Sequence, residues 1–558
     1  MISSRDIAQA EYIIDTSGIV DILIDGYRTS ARGRRAPRET MRLMLLGLML
    51  SIHTKRMATL TAAYSALRDD LTLDTQIRLG FRNAANAQPN VTIHDFYNLE
   101  KVMRKRLSYV NTPQFNVDES EAVRRKAAVL SYCDALMDVF NLGWPTSSVA
   151  IDATGLWSWA LKFSGATRSM INEFSSITEP EELAQYLTTA DSDTFATLFK
   201  RRDFEAQFGT KTGKDGRDET FFGFHEHTMV IVADVEHDKS EVPPLIVRFE
   251  ITPANADVVA PTLGLLDRAG IDVKDLVADR HYHYKEASRW KAELDRRGIR
   301  QHHDLRSDEH GFTESDRLRW AAGWAHCPAT PDALATIPRP GPNSSQAEQI
   351  EFSKKIDIRE AYALQRHTPP DLNGKHRVRC PALDGKIGCP LRPGTEATAI
   401  NFGLAIVAKP PNAQRDNEPL PKCCSQDTVM VTPPRSVYKL QQPHYWGSKK
   451  WERIWARRTY VEGSYGNRKN PSTENVTRGH NQIFGLVWAH IVMGLVNASY
   501  NLRMLENWCE RNADHPFNTH PLIQGDNTAI NVAGYVGLTA EEFEQITQQR
   551  AQAATRAA

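Results

Sequence analysis

Most of what would make this chain a membrane, secreted or obviously nucleic-acid-coating protein is missing. Its longest apolar stretch, Ile483 to Val496, is only 14 residues and carries His490, too short and too polar to span a bilayer. The run from Met41 to Ile52 is shorter still. The first residues, Met-Ile-Ser-Ser-Arg-Asp, lack the apolar segment of a secretory signal, so a cytoplasmic protein without a membrane partner is expected. Seven cysteines, an odd number in 558 residues, do not make a disulfide framework. There is also no charge excess: 68 Lys and Arg balance 68 Asp and Glu. Any grip on phosphates must therefore be local.

What is present is the composition of a folded enzyme, 41% hydrophobic and 24% charged, in a chain long enough for two or three structural units. Two basic windows stand out. The first holds Arg28, Arg32, Arg34, Arg35, Arg38 and Arg42 against Glu39 alone. The second holds Lys449, Lys450, Arg453, Arg457, Arg458, Arg468 and Lys469 against Glu452 and Glu462. Seen alone, either is an ordinary solvated surface.

Periodicity divides the chain. Residues 1–140 read as a helical unit, suited to binding DNA ends or to dimerisation, with a 3.6-residue apolar period from Val91 to Leu107. From 147 to 300 short β-branched segments appear: Ser148 to Asp152, Thr228 to Ala233, Pro244 to Ile251 and Asp275 to Asp279. An amphipathic stretch between Asn255 and Gly270 predicts a strand–helix–strand unit with parallel pairing. Residues 165–216 read as an insertion, and 301–443 as a larger one rich in Pro, Gly, Asn and Cys. Helix resumes over 445–510, and 511–558 forms a tail. The expected class is α/β, a mixed sheet with flanking helices, and there is no internal repeat.

Asp152 and Asp279 each close a strand-like run, where open α/β sheets present residues to ligands, so both could share a divalent cation. The alternative for each is a helix cap or turn anchor. Trp455, Arg458, Glu462 and Lys469 follow one another at intervals of 3, 4 and 7, one stripe of a helix. A carboxylate for a metal, cations for phosphates and an aromatic for stacking suit phosphodiester chemistry. An Arg458–Glu462 surface pair is the plain alternative.

That stripe is similar to the tyrosine-x2-arginine-x3-glutamate-x6-lysine signature of a group of insertion-sequence transposases of the DDE type. Tryptophan stands at 455 where the family has tyrosine. Other segments resemble the same family in order: Ile151-Asp-Ala-Thr, Phe222-Gly-Phe-His-Glu-His227, Ile251-Thr-Pro-Ala-Asn-Ala-Asp257 and Val277-Ala-Asp-Arg-His-Tyr282. His225 replaces the usual lysine and His281 the usual glycine. The likeness spans roughly 147–300 and 445–505.

The resemblance implies an RNase H-like core in which Asp152, Asp279 and Glu462 hold two Mg²⁺ or Mn²⁺ ions. It implies that Asp152 serves both ions, which activate water or a DNA 3′-hydroxyl and stabilise the leaving oxygen. Arg458 and Lys469 would clamp phosphates, Trp455 would stack on a base, and Arg457, Lys449 and Lys450 would add cationic contacts. Between Asp279 and Glu462 the family commonly inserts a β-rich subdomain. The implied partner is double-stranded DNA with terminal inverted repeats, bound by a homodimer.

Five of the seven cysteines fall in the large insertion, so Cys327, Cys380, Cys389 and Cys424 are candidates for a structural Zn²⁺, although no C-x2-C knuckle is present. The alternate pairs His225/His227 and His281/His283 raise a rival reading, a metal-dependent hydrolase. A retired transposase kept as a DNA-binding protein is the other rival.

Overall fold

The computed structural model describes residues 2–27, 38–112, 115–160, 203–212, 218–283, 286–341, 343–408 and 420–525, with isolated positions between 173 and 185. Arg28, Arg32, Arg34 and Arg35, most of the 165–216 insertion, and the tail beyond 525 lie outside these residues.

Among the described residues seven helices come first: α1 (Ser4–Thr16), α2 (Ile19–Tyr27), α3 (Arg38–His53), α4 (Leu60–Asp69), α5 (Leu73–Arg78), α6 (Ile93–Leu107) and α7 (Glu119–Asp138). Their starts are written in the sequence. Ser3 and Asp6 form a reciprocal capping box on α1, and Thr92 and Asp95 do the same on α6. α3 is buried almost continuously from Thr40 to Ile52, which marks it as the centre of the unit.

The sheet follows, with β1 (Ser148–Trp157), β2 (Gln207–Thr212), β3 (Asp218–Val232), β4 (Ile246–Pro253), α8 (Val259–Asp267), β5 (Asp275–Ala278) and β6 (Arg300–His302). Its order is β2–β3–β1–β5–β6, with β4 also paired to β3. β1, β3 and β4 are antiparallel neighbours, whereas β1, β5 and β6 run parallel. Two expectations are corrected. The strands joined by α8 are not paired, because α8 crosses over and delivers β5 to β1. Asp152 also does not end its strand, since β1 continues to Trp157 along β3.

The long pairing of β1 with β3 leaves no room for a side chain at Gly223. A Cβ there would stand 1.9 Å from the Leu156 carbonyl oxygen. Gly223→Ala is therefore expected to lower the unfolding free energy by roughly 3 kcal/mol in a denaturant titration. A variant as stable as the parent would refute this close approach.

The described residues between 303 and 443 include two three-stranded antiparallel sheets: β7 (Thr313–Ser315), β8 (Leu318–Ala321) and β9 (Trp324–His326), then β10 (Gln365–Arg366), β11 (His376–Arg379) and β12 (Thr428–Val431). Helix α9 (Gln346–Ala361) lies between them in sequence, and α10 (Thr395–Phe402) follows β11. A small separate core, including Leu318, Trp320, Val378 and Val429, serves this part.

Helices α11 (Lys449–Trp455), α12 (Arg458–Lys469) and α13 (Leu486–Arg511) follow, and a last short helix, Pro521–Gln524, packs back on α1. The apolar run that is too short for a bilayer becomes α13, buried from Leu486 to Leu502. No described helix is long and apolar enough to cross a membrane. α13 packs on α7, α3 and β4, so the helical unit and the sheet share one continuous core. Its central His490 is satisfied there. Nδ1 pairs with the Leu486 carbonyl at 2.9 Å, and Nε2 accepts the Ile251 amide at 3.0 Å. Burial lowers its pKa to about 4, so it is neutral.

Candidate active site

The β1–β5 register brings the two aspartates together. Its last pair is Ile151 with Ala278, so the next residues, Asp152 and Asp279, emerge side by side. Each carboxylate turns back onto the amide that follows. Asp152 accepts from Ala153 at 2.8 Å and Asp279 from Arg280 at 2.6 Å. Asp152 is half-buried, and desolvation there pushes its carboxyl up to about 7. The Ala153 amide and the Arg458 guanidinium oppose that rise, while the charges of Asp279 and Glu462 reinforce it.

α12 supplies the third carboxylate. Val461, Ser464, Tyr465 and Arg468 are its buried residues, spaced 3, 4 and 7 apart as one face. That face lies on β1 and β3. Tyr465 donates to the Asp152 carbonyl oxygen at 2.6 Å, and Lys469 donates to the Thr154 hydroxyl at 2.6 Å. Arg468 reaches buried Glu226 at 2.7 Å. The helix stops at Asn470, whose extended backbone precedes Pro471. Gly463 and Gly466 are tolerated on the exposed side of twelve helical residues.

Arg458 ties the carboxylates together. Its Nη2 lies 2.8 Å from Glu462 and 3.4 Å from Asp279. A guanidinium thus occupies the place between acids where a cation would be welcome. Its plane is backed by Trp455, 5.4 Å from the ring centre, and Trp455 stacks on Trp451 at 5.6 Å. This corrects two expectations about the stripe. The helix breaks at Ala456–Arg457, between Trp455 and Arg458. Trp455 is buried, so its ring supports Arg458 and offers no face to a base. Arg457 is buried too and donates to the His237 carbonyl at 3.0 Å, which removes it from the exposed cations. Lys449 and Lys450 remain exposed at the start of α11.

Beside Asp152 and Asp279 opens a cavity of about 740 Å³, with His225, His281, Lys469 and Arg478 on its walls. Trp157 lines it, and Trp159 lies two residues farther along; both are among the exposed large side chains. Arg478 holds this rim by donating to the carbonyls of Ser158 and Ala160 at 2.9 and 3.0 Å. Sequence reasoning missed these two aromatics. Their signal was the alternation Leu156-Trp-Ser-Trp159 beyond Asp152, hidden by the expectation that the strand ended there.

No protein-family model, curated protein or solved structure matches this chain. The site must therefore be judged on its chemistry. Among the described residues, no group of three or more His, Cys, Asp or Glu side chains stands ready-made around an ion. The three acids nevertheless suit divalent cations. Asp152 is a half-buried carboxyl repelled by two others, and a guanidinium already bridges Asp279 and Glu462.

The histidine pairs divide differently. His225 and His281 both face the cavity, but His227 is fully buried with Nε2 2.9 Å from the Thr252 hydroxyl. Burial lowers the His227 pKa to about 3. The His225/His227 pair is thus split between the cleft and the core. The side chain of His283 lies outside the described residues.

Proposed function

We propose that this protein is a DDE-type transposase with an RNase H-like core, which cuts the ends of a mobile element and joins them to target DNA. The observation that carries this reading is the joining of Asp279 and Glu462 by Arg458 with Asp152 on the neighbouring strand. They are separated by 279 − 152 = 127 and 462 − 279 = 183 residues. The mixed sheet with helices packed on it, and the β-containing insertion between the second aspartate and the glutamate, also support it.

Asp152, Asp279 and Glu462 would hold two Mg²⁺ or Mn²⁺ ions, which make oxygen nucleophiles available near neutral pH and offset charge on phosphoryl oxygens. The chain's own part is positioning. Asp152 must be deprotonated to take part, and Tyr465 and Lys469 fix β1 to α12 so that Glu462 faces the aspartates. Freed from its acid partners, Arg458 lies within reach of a phosphate entering the same place, and Lys469 sits on the cavity wall for the next. Trp157 and Trp159 are placed to stack on bases of an opened end. Lys449 and Lys450 add charge to the same region of the chain. Inverted repeats at two DNA ends call for two copies of the protein, a homodimer in the cytoplasm.

The test is cleavage of DNA bearing the element's ends by the full chain. Cutting is expected with Mg²⁺ or Mn²⁺ and not with chelator, and Glu462→Gln is expected to reduce it at least about a hundredfold. A glutamine variant that cuts as fast as the parent removes the assignment. DNA binding without any cleavage by the parent would point to a retired transposase instead.

A further inference from the structure

The large insertion brings together sulfurs that are far apart in sequence. Cys327 follows β9, Cys380 follows β11, Cys389 lies in the next loop, and Cys423 and Cys424 sit in the short helix Lys422–Ser425 before β12. All five line one cavity of about 10 Å³, room for a single atom or water. The two remaining cysteines, Cys133 and Cys509, are not among its walls. None of the seven forms a disulfide.

Three of the five are presented by the same local structure. Each begins a Cys-Pro turn, at Cys327-Pro-Ala-Thr, Cys380-Pro-Ala-Leu and Cys389-Pro-Leu-Arg. In each, the cysteine carbonyl accepts the amide three residues on, at 3.0, 3.1 and 2.9 Å. Three separate turns thus bring their sulfurs to one point, a convergence that hydrophobic packing alone does not require.

We infer that Cys327, Cys380, Cys389 and Cys424 form a structural Zn²⁺ site that pins the insertion. This goes beyond the catalytic reading and does not depend on it. Cys424 is chosen as the fourth ligand because Cys423 is committed to the small core with Val429 and Val431. Their sulfurs are 3.9 Å apart, so only modest rotation separates the two choices. The thiols are not closed into a finished cage, and Zn–S bonds of about 2.3 Å draw four of them inward. Arg392 lines the same cavity, and its charge offsets half of the double negative charge of a four-thiolate zinc centre. The metal also answers a need. The core around β8, β11 and β12 comprises only nine buried residues, and a structural zinc stabilises units that cannot bury enough apolar surface.

The full chain, purified without chelator, is expected to carry about one zinc per molecule by elemental analysis. Replacement by Co²⁺ is expected to give the thiolate-to-cobalt charge-transfer bands of a tetrahedral sulfur site. Cys389→Ser and Cys424→Ser should each lose the metal, whereas Cys133→Ser and Cys423→Ala should keep it. Should the serine variants fail to fold, the parent still decides. A thiol-competing chelator is expected to lower its Tm, and added Zn²⁺ but not Mg²⁺ to restore it. No zinc, no cobalt bands and a chelator-insensitive Tm would overturn the site. Metal lost from Cys423→Ala and kept in Cys424→Ser would overturn the fourth ligand.

Discussion

Asp152→Asn is expected to lose strand cleavage by about a thousandfold or more and, at pH 8.5, to unfold at a higher temperature than the parent. The first half follows from the proposed chemistry, because the amide oxygen is a weak ligand with no charge to offer a divalent ion. The second half follows from burial. The Asp152 carboxyl rises from 3.8 to about 7 in the folded protein, so folding holds a proton that the unfolded chain releases. Stability from this group is fully present below about pH 4 and lost as pH rises through 7. Asparagine carries no such dependence. The difference between the two proteins should vanish near pH 4 and open above 7 to at most about 4 kcal/mol. Mg²⁺ adds a discriminating arm. It should raise the Tm of the parent at pH 8.5 and leave the variant unmoved, because only the parent has the deprotonated acid. A variant that retains more than about a hundredth of the cutting rate, or a Tm difference flat across pH, would show that Asp152 is not a strained metal ligand.

The carboxylates were legible because their signals are local. The β-branched run before Asp279 predicts a strand end, found at Ala278, whereas Asp152 stands within its strand, and the spacing from Arg458 to Glu462 predicts a one-turn contact, found at 2.8 Å. What local pattern could not give was the partner of each group. Arg458 reaches Asp279 across 179 positions, and Trp455 is buried because Trp451, one turn earlier, covers it. The same holds for Arg457, whose place in a basic window hid that its guanidinium points at a carbonyl of a distant loop. The insertion cysteines show the opposite case. Their wide spacings looked unlike a zinc knuckle, yet the repeated Cys-Pro step was visible, and each turn brings its sulfur to the same cavity. Helix is expected over 445–510, and α13 fills 26 residues of it; the apolar run forms only its first half, and Asn497, Ser499 and Asn501 interrupt the apolar pattern beyond while remaining buried. Their polar atoms are matched across the fold, as where Asn501 donates to the Ile246 carbonyl at 2.7 Å and accepts its amide at 2.8 Å.

Arg468→Leu is expected to be the most destabilising of these changes, by about 3–5 kcal/mol. Arg468 sits one position from Lys469 in the signature stripe, yet it points the other way, into the core. It is 2% exposed, and Glu226 on β3 is fully buried. Asn497 of α13 completes the cluster, donating to the Glu226 carboxylate at 2.9 Å and accepting from Arg468. Three elements therefore meet at one ion pair, and one of them is the helix that carries Glu462. Leucine fills much of the space but leaves the Glu226 charge buried with only the Asn497 amide and no cation beside it, which costs more than the pair contributes. The lost anchor also frees α12 from β3, so cleavage should fall together with Tm. The double variant Glu226→Leu/Arg468→Leu separates the two causes. One Glu226 oxygen and one Arg468 nitrogen already lack a hydrogen-bond partner, so removing both charges together should return most of the lost stability. If the double variant melts no higher than Arg468→Leu, the damage lies in packing and not in the stranded carboxylate. If stability returns without cleavage, the pair sets the position of α12 as well as holding it down.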